Sequence, residues 1–352
     1  MRVALVGCGD VAGRYAQTIV AKERLTLVGA TDVRPGRAAE LIGNFGGIEY
    51  PSLDALLADD QVEAVANLTA PQAHAAVTAA CLEAGKHVHS EKPLALSFAE
   101  AKELVELAAS RGVCLSCSPV TLLGEAQQTV SKLVREGAIG TIRVAYAEAN
   151  WGRIETWHPS PVSLYAVGPL VDVGVYPIML LTAILGPARR VLAYGKVLDA
   201  DRSTLDDVRF RLEVPDFVVA VLELAGGAVV RLTATFYVGH HGKQRGVELH
   251  GDGGSLYLAS WMEFDSRLEL ALAHEDYAPV QLVRNPFHGV DWSRALLELA
   301  DAVAEGRPHR TSGEHAAHVV EILGAIEESL ETGGAVAVRS DFEQPRPMEW
   351  AR

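Results

Sequence analysis

Lys92 is the residue whose position points most directly to chemistry, because it stands between a short apolar run and Pro93. Pro93 biases the preceding residue towards extended backbone and has no N–H to donate. A partly desolvated amine at the end of a strand should have a lowered pKa, which suits it to proton transfer at a hydroxyl or carbonyl. We therefore predict that Lys92 is catalytic and contacts the substrate. The alternative is an ordinary strand-to-loop junction.

Asp172 and Tyr176 are a second candidate pair, in the sequence VDVGVYP. Four residues apart on a helix, they would share one face. Their neighbours are almost all apolar, and a buried carboxylate and phenol need partners, which Lys92 could supply to both. A nearby ammonium would also lower the pKa of the phenol. We predict that both residues are catalytic and contact the substrate. The alternative is a structural pair in which the aspartate satisfies the phenol.

The segment GCGDVA, residues 7–12, has the form G-x-G-x-x-A between a strand-like run and a helical pattern. Glycines there permit a tight turn and let a pyrophosphate approach the N–H groups of the helix N-terminus. Asp32 ends the next strand-like run, where a carboxylate accepts hydrogen bonds from ribose hydroxyls and repels a 2′-phosphate. This predicts NAD, while Arg34 leaves NADP possible. The predicted cofactor contacts in this region are Gly7, Gly9, Asp10, Val11 and Asp32.

Two later loops stand at the ends of strand-like runs, where open α/β sheets bind ligands. One holds the sequence TAPQAH after VEAVANLT, and the other holds the Glu-Lys-Pro tripeptide. His74 alone could instead be a structural histidine at the start of a helix. The predicted cofactor contacts in these loops are Thr69, Pro71, His74, Glu91 and Lys92.

Trp157 and His158 lie in a loop before the segment that carries Asp172. Aromatic rings stack on sugar rings, and an imidazole can hydrogen-bond hydroxyl groups. We predict that both contact the substrate. An oligomer contact or simple loop packing would explain them equally well.

Two domains must position these residues. The first 118 residues alternate strand-like and helical runs, which predicts a doubly wound parallel sheet in an NAD-binding Rossmann domain over residues 1–120. Residues 121–340 carry helices and then alternating strands from Val191 to Val283, which predicts an α+β domain with a large, open, mostly antiparallel sheet. Two closing helices complete it, and this C-terminal segment could pack back on the first domain.

Composition excludes several classes of protein. The net charge of −14 provides no basic surface for nucleic acid or an anionic membrane. The apolar, uncharged run Val173 to Ala188 is shorter than a bilayer span, and we interpret it as a buried helix. Cys114 and Cys117 would face opposite sides of a strand, so we predict no metal site. No signal peptide is indicated, and structural cysteines suit a reducing compartment, so we predict a cytoplasmic protein.

Several of these segments together resemble the glucose-fructose oxidoreductase / inositol dehydrogenase / rhizopine-catabolism (Gfo/Idh/MocA) family. They are GCGDVA, Asp32, NLTAPQAH, AGKHVHSEKPLA, VGPLVDVGVYP and the closing EGRPHRTSGEHAAHVVEILGAIEESLETG. The resemblance covers nearly the whole chain in the right order. The Glu-Lys-Pro motif is its most specific part, whereas the glycine loop occurs in many families.

The resemblance implies a Rossmann domain followed by an α/β domain whose open sheet usually mediates oligomerisation, so we expect a homodimer or homotetramer through the C-terminal sheet. Lys92 matches the family's catalytic lysine, and Asp172 matches the aspartate of its D-x-G-x-H helix motif. Tyr176 stands at the histidine position, as in some branches. The usual Gly-Gly-Gly before that motif is reduced to the sequence AVGP, residues 166–169.

These observations predict an NAD(P)-dependent oxidoreductase that acts on a secondary hydroxyl or carbonyl of a sugar, polyol or glycoside. Two alternatives stay open. One is an NAD-dependent glycoside hydrolase that uses transient oxidation. The other is a non-catalytic NAD-binding regulator, against which the retention of Lys92, Asp172 and Tyr176 counts.

Overall fold

The computed structural model describes residues 1–239 and 241–352. His240, which the sequence places near a strand end, lies outside the described residues. The chain divides into two compact units, residues 1–123 with 291–320 and residues 124–290 with 321–352. The domain limits at residues 120 and 340, and the roles assigned to the two domains, stay predictions.

Strands and helices alternate from Arg2 to Cys117, as the sequence predicts, and strands predominate after Leu185. The α-helices, in chain order, are α1 (Ala12–Val20), α2 (Arg37–Phe45), α3 (Leu53–Leu57), α4 (His74–Glu83), α5 (Phe98–Arg111), α6 (Glu125–Arg135), α7 (Val162–Pro169), α8 (Val175–Leu185), α9 (Arg294–Glu305) and α10 (Gly313–Thr332). The strands are β1 (Arg2–Val6), β2 (Thr26–Thr31), β3 (Ile48–Glu49), β4 (Ala64–Asn67), β5 (His87–Ser90), β6 (Leu115–Cys117), β7 (Ile142–Asn150), β8 (Ala188–Lys196), β9 (Asp201–Ser203), β10 (Arg209–Arg211), β11 (Phe217–Leu224), β12 (Val229–Thr235), β13 (Gly246–Gly251), β14 (Gly254–Leu258), β15 (Leu268–Leu272), β16 (Ala278–Pro279) and β17 (Val336–Ala337).

The first unit contains a six-stranded sheet in the order β3-β2-β1-β4-β5-β6, and every neighbouring pair is parallel. This is the strand order of a doubly wound Rossmann sheet, whose direction of winding reverses between β1 and β4. The predicted fold of the N-terminal part is therefore confirmed. The carboxyl ends of β1, β4 and β5 lie beside this reversal, where such sheets bind ligands.

The core of the first unit takes in a late segment of the chain. Tyr15 and Ile19 of α1 are fully buried in one apolar cluster with Leu296 and Ala300 of α9. An ion pair of 2.7 Å between Lys22 Nζ and Asp291 Oδ1 holds the start of that segment. The face of α1 that an isolated N-terminal sheet would expose is thus covered by α9.

The second unit contains a nine-stranded sheet in the order β16-β15-β14-β13-β7-β12-β11-β8-β17. Its neighbouring pairs are antiparallel except for β7 and β12, which are parallel. The predicted large and mostly antiparallel sheet is confirmed. The tight hairpins joining β11 to β12 and β13 to β14 lie at the paired glycines. Gly227 in the first takes a positive φ of 86°, whereas in the second a Cβ on Gly254 would clash with the carbonyl oxygen of Ala271.

Helices α7 and α8 are joined by a π-helical segment, Leu170–Gly174. Gly168 interrupts α7 with a φ of 74°, and a Cβ there would lie 2.8 Å from Val214 Cγ1. Gly168 therefore stands where glycine is needed. The sequence predicted a loop before Asp172, so α7 and the π-helical turn are differences from that prediction.

Among residues 1–239 and 241–352, one helical stretch, Val162–Leu185, is long and apolar enough to cross a membrane by length and composition. Its most apolar window has a mean hydropathy of 1.7, and 72% of that window is buried inside the protein. A core helix has the same properties, so the stretch is weak evidence for a membrane span.

Candidate active site

The glycine loop between β1 and α1 is closely packed on one side and open on the other. Gly7 has a φ of 91°, and a Cβ on it would lie 2.7 Å from the carbonyl oxygen of Leu68. A Cβ on Gly9 would meet only Arg37 Nη1, at 4.0 Å. Space of this kind above a glycine backbone is what a dinucleotide pyrophosphate requires, so the residues present fit the cofactor.

Asp32 follows β2 and is fixed by two backbone donors. Its Oδ2 accepts a 2.6 Å hydrogen bond from Cys8 N, and its Oδ1 accepts one of 2.7 Å from Arg34 N. Burial raises the pKa of the Cys8 thiol to about 12, and the charge of Asp32 adds to the effect. The thiol in the glycine loop is therefore protonated at neutral pH, and Asp32 is the fixed charge beside it.

Arg37 is a residue of this region that the sequence analysis missed. It is the first residue of α2, it is half-buried, and its guanidinium is the group nearest to the open side of Gly9. Arg34, which the sequence analysis singled out, is exposed. The available signal was the Gly36-Arg37 step, because Gly36 takes a left-handed φ of 83° and starts the helix there.

His74 links the loop after β4 to the loop after β5. Its ring is 1% exposed, with Nε2 3.0 Å from the carbonyl oxygen of Thr69 and Nδ1 2.6 Å from that of Pro93. Asn67 fixes the same loop, because its Oδ1 accepts a 2.6 Å hydrogen bond from Thr69 Oγ1. Pro71 starts a short 3-10 turn just before α4. The cofactor contacts proposed for these residues stay predictions.

Glu91 and Lys92 follow β5 and lie over a buried polar network. Glu91 is 7% exposed, and its Oε1 accepts hydrogen bonds from the hydroxyls of Tyr15, at 2.7 Å, and Ser118, at 3.0 Å. Its Oε2 accepts a 3.1 Å hydrogen bond from Lys92 N. Lys92 is half-buried. The backbone of the candidate catalytic lysine is thus hydrogen-bonded to a buried carboxylate.

In the second unit, Asp172 lies in the π-helical segment and Tyr176 in the first turn of α8. Asp172 is half-buried, and Tyr176 is 8% exposed. The ring of Tyr176 packs on Trp261, with the ring centroids 5.0 Å apart. π-Helical turns often occur at functional sites. The predicted pair therefore stands at a helical irregularity with one aromatic wall.

A row of aromatic rings connects Tyr176 with the predicted substrate loop. Trp261 lies 6.0 Å from Trp151, Trp151 lies 6.4 Å from Trp157, and Trp157 lies 5.5 Å from His158, all between ring centroids. Trp157 is half-exposed. The sequence analysis missed Trp151 and Trp261, which lie at the end of β7 and after β14. No motif marks these two, because only the sheet brings them together.

A buried cluster of charges supports the loop that carries Trp157. Glu155 accepts hydrogen bonds from Tyr165, from Arg153 at 2.7 Å and from Arg202 at 3.0 Å. The side chain of Arg202 is fully buried and also pairs with Asp216 at 2.6 Å. Burial acts to raise the pKa of Glu155, but the hydrogen bonds from Tyr165 and Arg153 outweigh it and lower the pKa. The carboxylate therefore stays ionised.

Each unit brings part of the predicted site together. The first groups the glycine loop with Asp32, and the loop of His74 with the loop of Lys92. The second groups Tyr176 with Trp157 and His158. That Lys92 acts with Asp172 and Tyr176 stays a prediction. In the part of the chain that the structure describes, no group of three or more His, Cys, Asp or Glu side chains could hold a metal ion.

Two family models match the chain. The one described as an oxidoreductase family with an NAD-binding Rossmann fold matches residues 1–118, and the GFO/IDH/MocA C-terminal domain matches residues 127–257. A dTDP-3,4-didehydro-2,6-dideoxy-alpha-D-glucose 3-reductase of Actinomadura kijaniata is 28% identical over 338 residues, which are 93% of this chain and 94% of that protein.

Two further similar proteins are dehydrogenases by name. A trans-1,2-dihydrobenzene-1,2-diol dehydrogenase of Oryctolagus cuniculus is 30% identical over 230 residues, 63% of this chain and 65% of its own length. A solved levoglucosan dehydrogenase in complex with NADH and levoglucosan has a TM-score of 0.84 at 23% identity, and the match covers 96% of this chain and 99% of that one. The chain therefore belongs to the Gfo/Idh/MocA family of oxidoreductases, with an NAD(P)-binding Rossmann fold in its N-terminal part.

Proposed function

We propose that this chain is an NAD(P)-dependent dehydrogenase that transfers a hydride between the cofactor and a secondary hydroxyl or carbonyl of a sugar, polyol or glycoside. The observation that carries the proposal is the position of Lys92. It follows β5 in the sheet whose β1 leads into the glycine loop, and its backbone is anchored by Glu91. An amine held at the ligand-binding edge of such a sheet suits proton transfer to or from a substrate oxygen.

The cofactor would be held by this chain's own backbone and by one carboxylate. The N–H groups at the start of α1 would face the pyrophosphate, and Asp32 would accept hydrogen bonds from the ribose. NAD is the proposed cofactor, since a carboxylate at this point repels a 2′-phosphate. Arg34 and Arg37 keep NADP as the second possibility.

The proposed chemistry divides between two kinds of group. When bound, the nicotinamide supplies the acceptor for the hydride of the secondary alcohol. The hydroxyl proton passes to the phenol of Tyr176 or to the amine of Lys92, while Asp172 orients the pair. In the reverse direction the same groups act as acids.

Sugars and polyols fit the aromatic surface of the second unit. The half-exposed Trp157 can stack on the apolar face of a ring, and His158 can hydrogen-bond its hydroxyls. The relatives' names agree with this class, since they include a dTDP-sugar reductase and a dihydrodiol dehydrogenase.

The proposed assembly is a homodimer or homotetramer through the nine-stranded sheet. Leu192 and Tyr194, both on β8, are 47% and 63% exposed, and Val221 on the neighbouring β11 is 36% exposed. Apolar side chains on one face of a sheet favour pairing with a second copy. This supports the proposal of an oligomer but does not set its size.

The test is a panel of sugars, polyols and glycosides incubated with the enzyme and NAD or NADP, with absorbance of the reduced cofactor as the measurement. We expect net reduced cofactor with at least one member. Lys92→Ala should lower turnover at least ~10²-fold and leave cofactor binding within about twofold, because the lysine is assigned to proton transfer. Lys102→Ala, an exposed lysine on α5, is the matched control.

Other outcomes would contradict the proposal in distinct ways. Release of free sugar without reduced cofactor would indicate the hydrolase, and cofactor binding without any turnover would indicate the regulator. Full activity of Lys92→Ala would reject the assigned role of the lysine.

A further inference from the structure

Tyr15 is a fully buried phenol on α1 whose hydroxyl points at the strand end that carries Lys92. Its Oη donates a 2.7 Å hydrogen bond to Glu91 Oε1. Ser118 Oγ donates to the same oxygen at 3.0 Å, and Lys92 N donates to the other at 3.1 Å. The carboxylate thus connects a helix, a loop and the candidate catalytic residue.

The carboxylate of Glu91 depends on these donors, because a buried carboxylate needs hydrogen bonds in place of water. Hydrogen bonds to a charged group are about twice as strong as those between neutral groups. The side-chain donors on Oε1 therefore decide how the carboxylate is turned. Its orientation in turn fixes where Oε2 meets the N–H of Lys92.

A chain of hydrogen bonds requires the hydroxyl of Tyr15 to donate its proton to Glu91. A carboxylate only accepts, so Tyr15 must donate to it and can then accept from His89 Nε2, 3.1 Å away. Burial lowers the pKa of His89 to about 4, so the ring is neutral and its Nδ1 accepts from Ser116 Oγ at 2.8 Å. Ser116 in turn accepts from Thr311 Oγ1 at 2.6 Å. Each contact along the chain from Thr311 to Glu91 then has one donor and one acceptor.

We propose that Tyr15 is a positioning residue for Lys92 and acts through the carboxylate of Glu91. The inference rests on the proposed function, in which Lys92 is catalytic. Without the phenol, Oε1 keeps only Ser118, the carboxylate can turn, and Lys92 N loses its fixed acceptor. Tyr15 itself touches neither substrate nor cofactor in this account.

The test compares Tyr15→Phe with Tyr50→Phe. Tyr50 is a matched control, because it is also a buried tyrosine of the first unit whose hydroxyl donates to a carboxylate, that of Asp59, at 2.6 Å. In Tyr15→Phe we expect kcat with the best substrate of the panel to fall about tenfold, while KM for the cofactor changes less than twofold. The pH profile of kcat should also shift. Tyr50→Phe should leave both unchanged.

A second measurement needs no substrate. Trace acetylation of the full chain with acetic anhydride in the presence of NAD, read by peptide mass spectrometry, reports the exposure of each amine, with Lys102 as internal reference. We expect the acetylation rate of Lys92 to rise at least about threefold in Tyr15→Phe and to stay at the wild-type value in Tyr50→Phe. Equal rates in all three proteins would overturn the inference, as would an unchanged kcat in Tyr15→Phe.

Failure of the proposed function would look different. If Lys92→Ala keeps full turnover, then the role assigned to Lys92 is wrong whatever Tyr15→Phe does. If Lys92→Ala is inactive and Tyr15→Phe behaves as the wild type in both measurements, then the positioning role alone is wrong.

Discussion

At the scale of single residues, the sequence predicted where the candidate catalytic and cofactor residues lie, but not which other side chains contact them in the folded protein. Gly7, Asp32 and Lys92 stand at fixed distances from strand ends, so spacing alone predicted their places. Arg37 and Tyr15 lie on helices, and which side chain of a helix reaches a given loop depends on the angle at which the helix packs. The contacts of Tyr15 with Glu91 join residues 76 apart in sequence, which no local pattern reports.

Cofactor preference is the first prediction at this scale. Arg37→Ala should weaken NADPH binding about tenfold more than NADH binding, because only NADPH carries a 2′-phosphate and a hydrogen bond to a charged group contributes about 1.5–3 kcal/mol. The guanidinium of Arg37 reaches the glycine loop from the segment that follows Asp32, the residue proposed to bind the ribose. Arg34→Ala is the control and should change both little, since Arg34 is exposed. Dissociation constants from cofactor fluorescence give the comparison, and a larger effect of Arg34→Ala would contradict it.

At the scale of elements, alternating strand and helix patterns predicted both sheets, because periods of two and 3.6 residues are written in the sequence. The π-helical turn at Leu170–Gly174 was not predictable, since it changes the hydrogen-bond register of a helix without changing its apolar pattern. The buried ion pairs beneath the Trp157 loop were also not predictable from the sequence. Arg202 lies on β9, 47 residues beyond the Glu155 that it neutralises.

The buried charges under that loop make the second prediction. Arg202→Met leaves the carboxylates of Glu155 and Asp216 without their common cation, and breaking a buried ion pair costs about 3–5 kcal/mol. Arg211→Met removes an exposed partner of Asp201 and should cost about 0–1 kcal/mol. The free energies of unfolding in urea test this, and similar values for the two variants would refute it.

At the scale of the whole molecule, the formal charge leads us to expect no surface for nucleic acid or an anionic membrane, but it does not predict where ionisable groups are buried. His89 and His315, both in the first unit, are almost or entirely inaccessible to solvent. Burial lowers the pKa of His89 to about 4 and that of His315 to about 3. Both rings are therefore neutral in the folded chain at pH values just below 6.5, where they would carry a proton in the unfolded chain.

Acid sensitivity of the fold is the third prediction. As pH falls below about 6.5, the unfolded histidines bind protons that the folded ones do not, so the free energy of unfolding decreases. The stabilisation is present above pH ~6.5 and is lost towards the folded pKa of about 4, and His89 alone accounts for on the order of 3 kcal/mol.

The measurement is urea unfolding between pH 7 and pH ~4.5, compared with His89→Gln. As pH falls, the free energy of unfolding should decrease less steeply in the variant than in the wild type. The two slopes should differ by the equivalent of up to one bound proton. Carboxylates contribute equally to both proteins and cancel. Parallel curves would mean that His89 already carries its proton in the folded state.

The late return of the chain to the first unit has a consequence for how this protein is made and handled. Leu296 and Ala300 complete an apolar core that begins with β1, so a ribosome must translate some three hundred residues before the N-terminal sheet can close. A fragment cut after residue 123 would present that unfinished core to water. The N-terminal sheet is therefore the first part of the chain to be synthesised, but its apolar core is complete only once α9 has been translated.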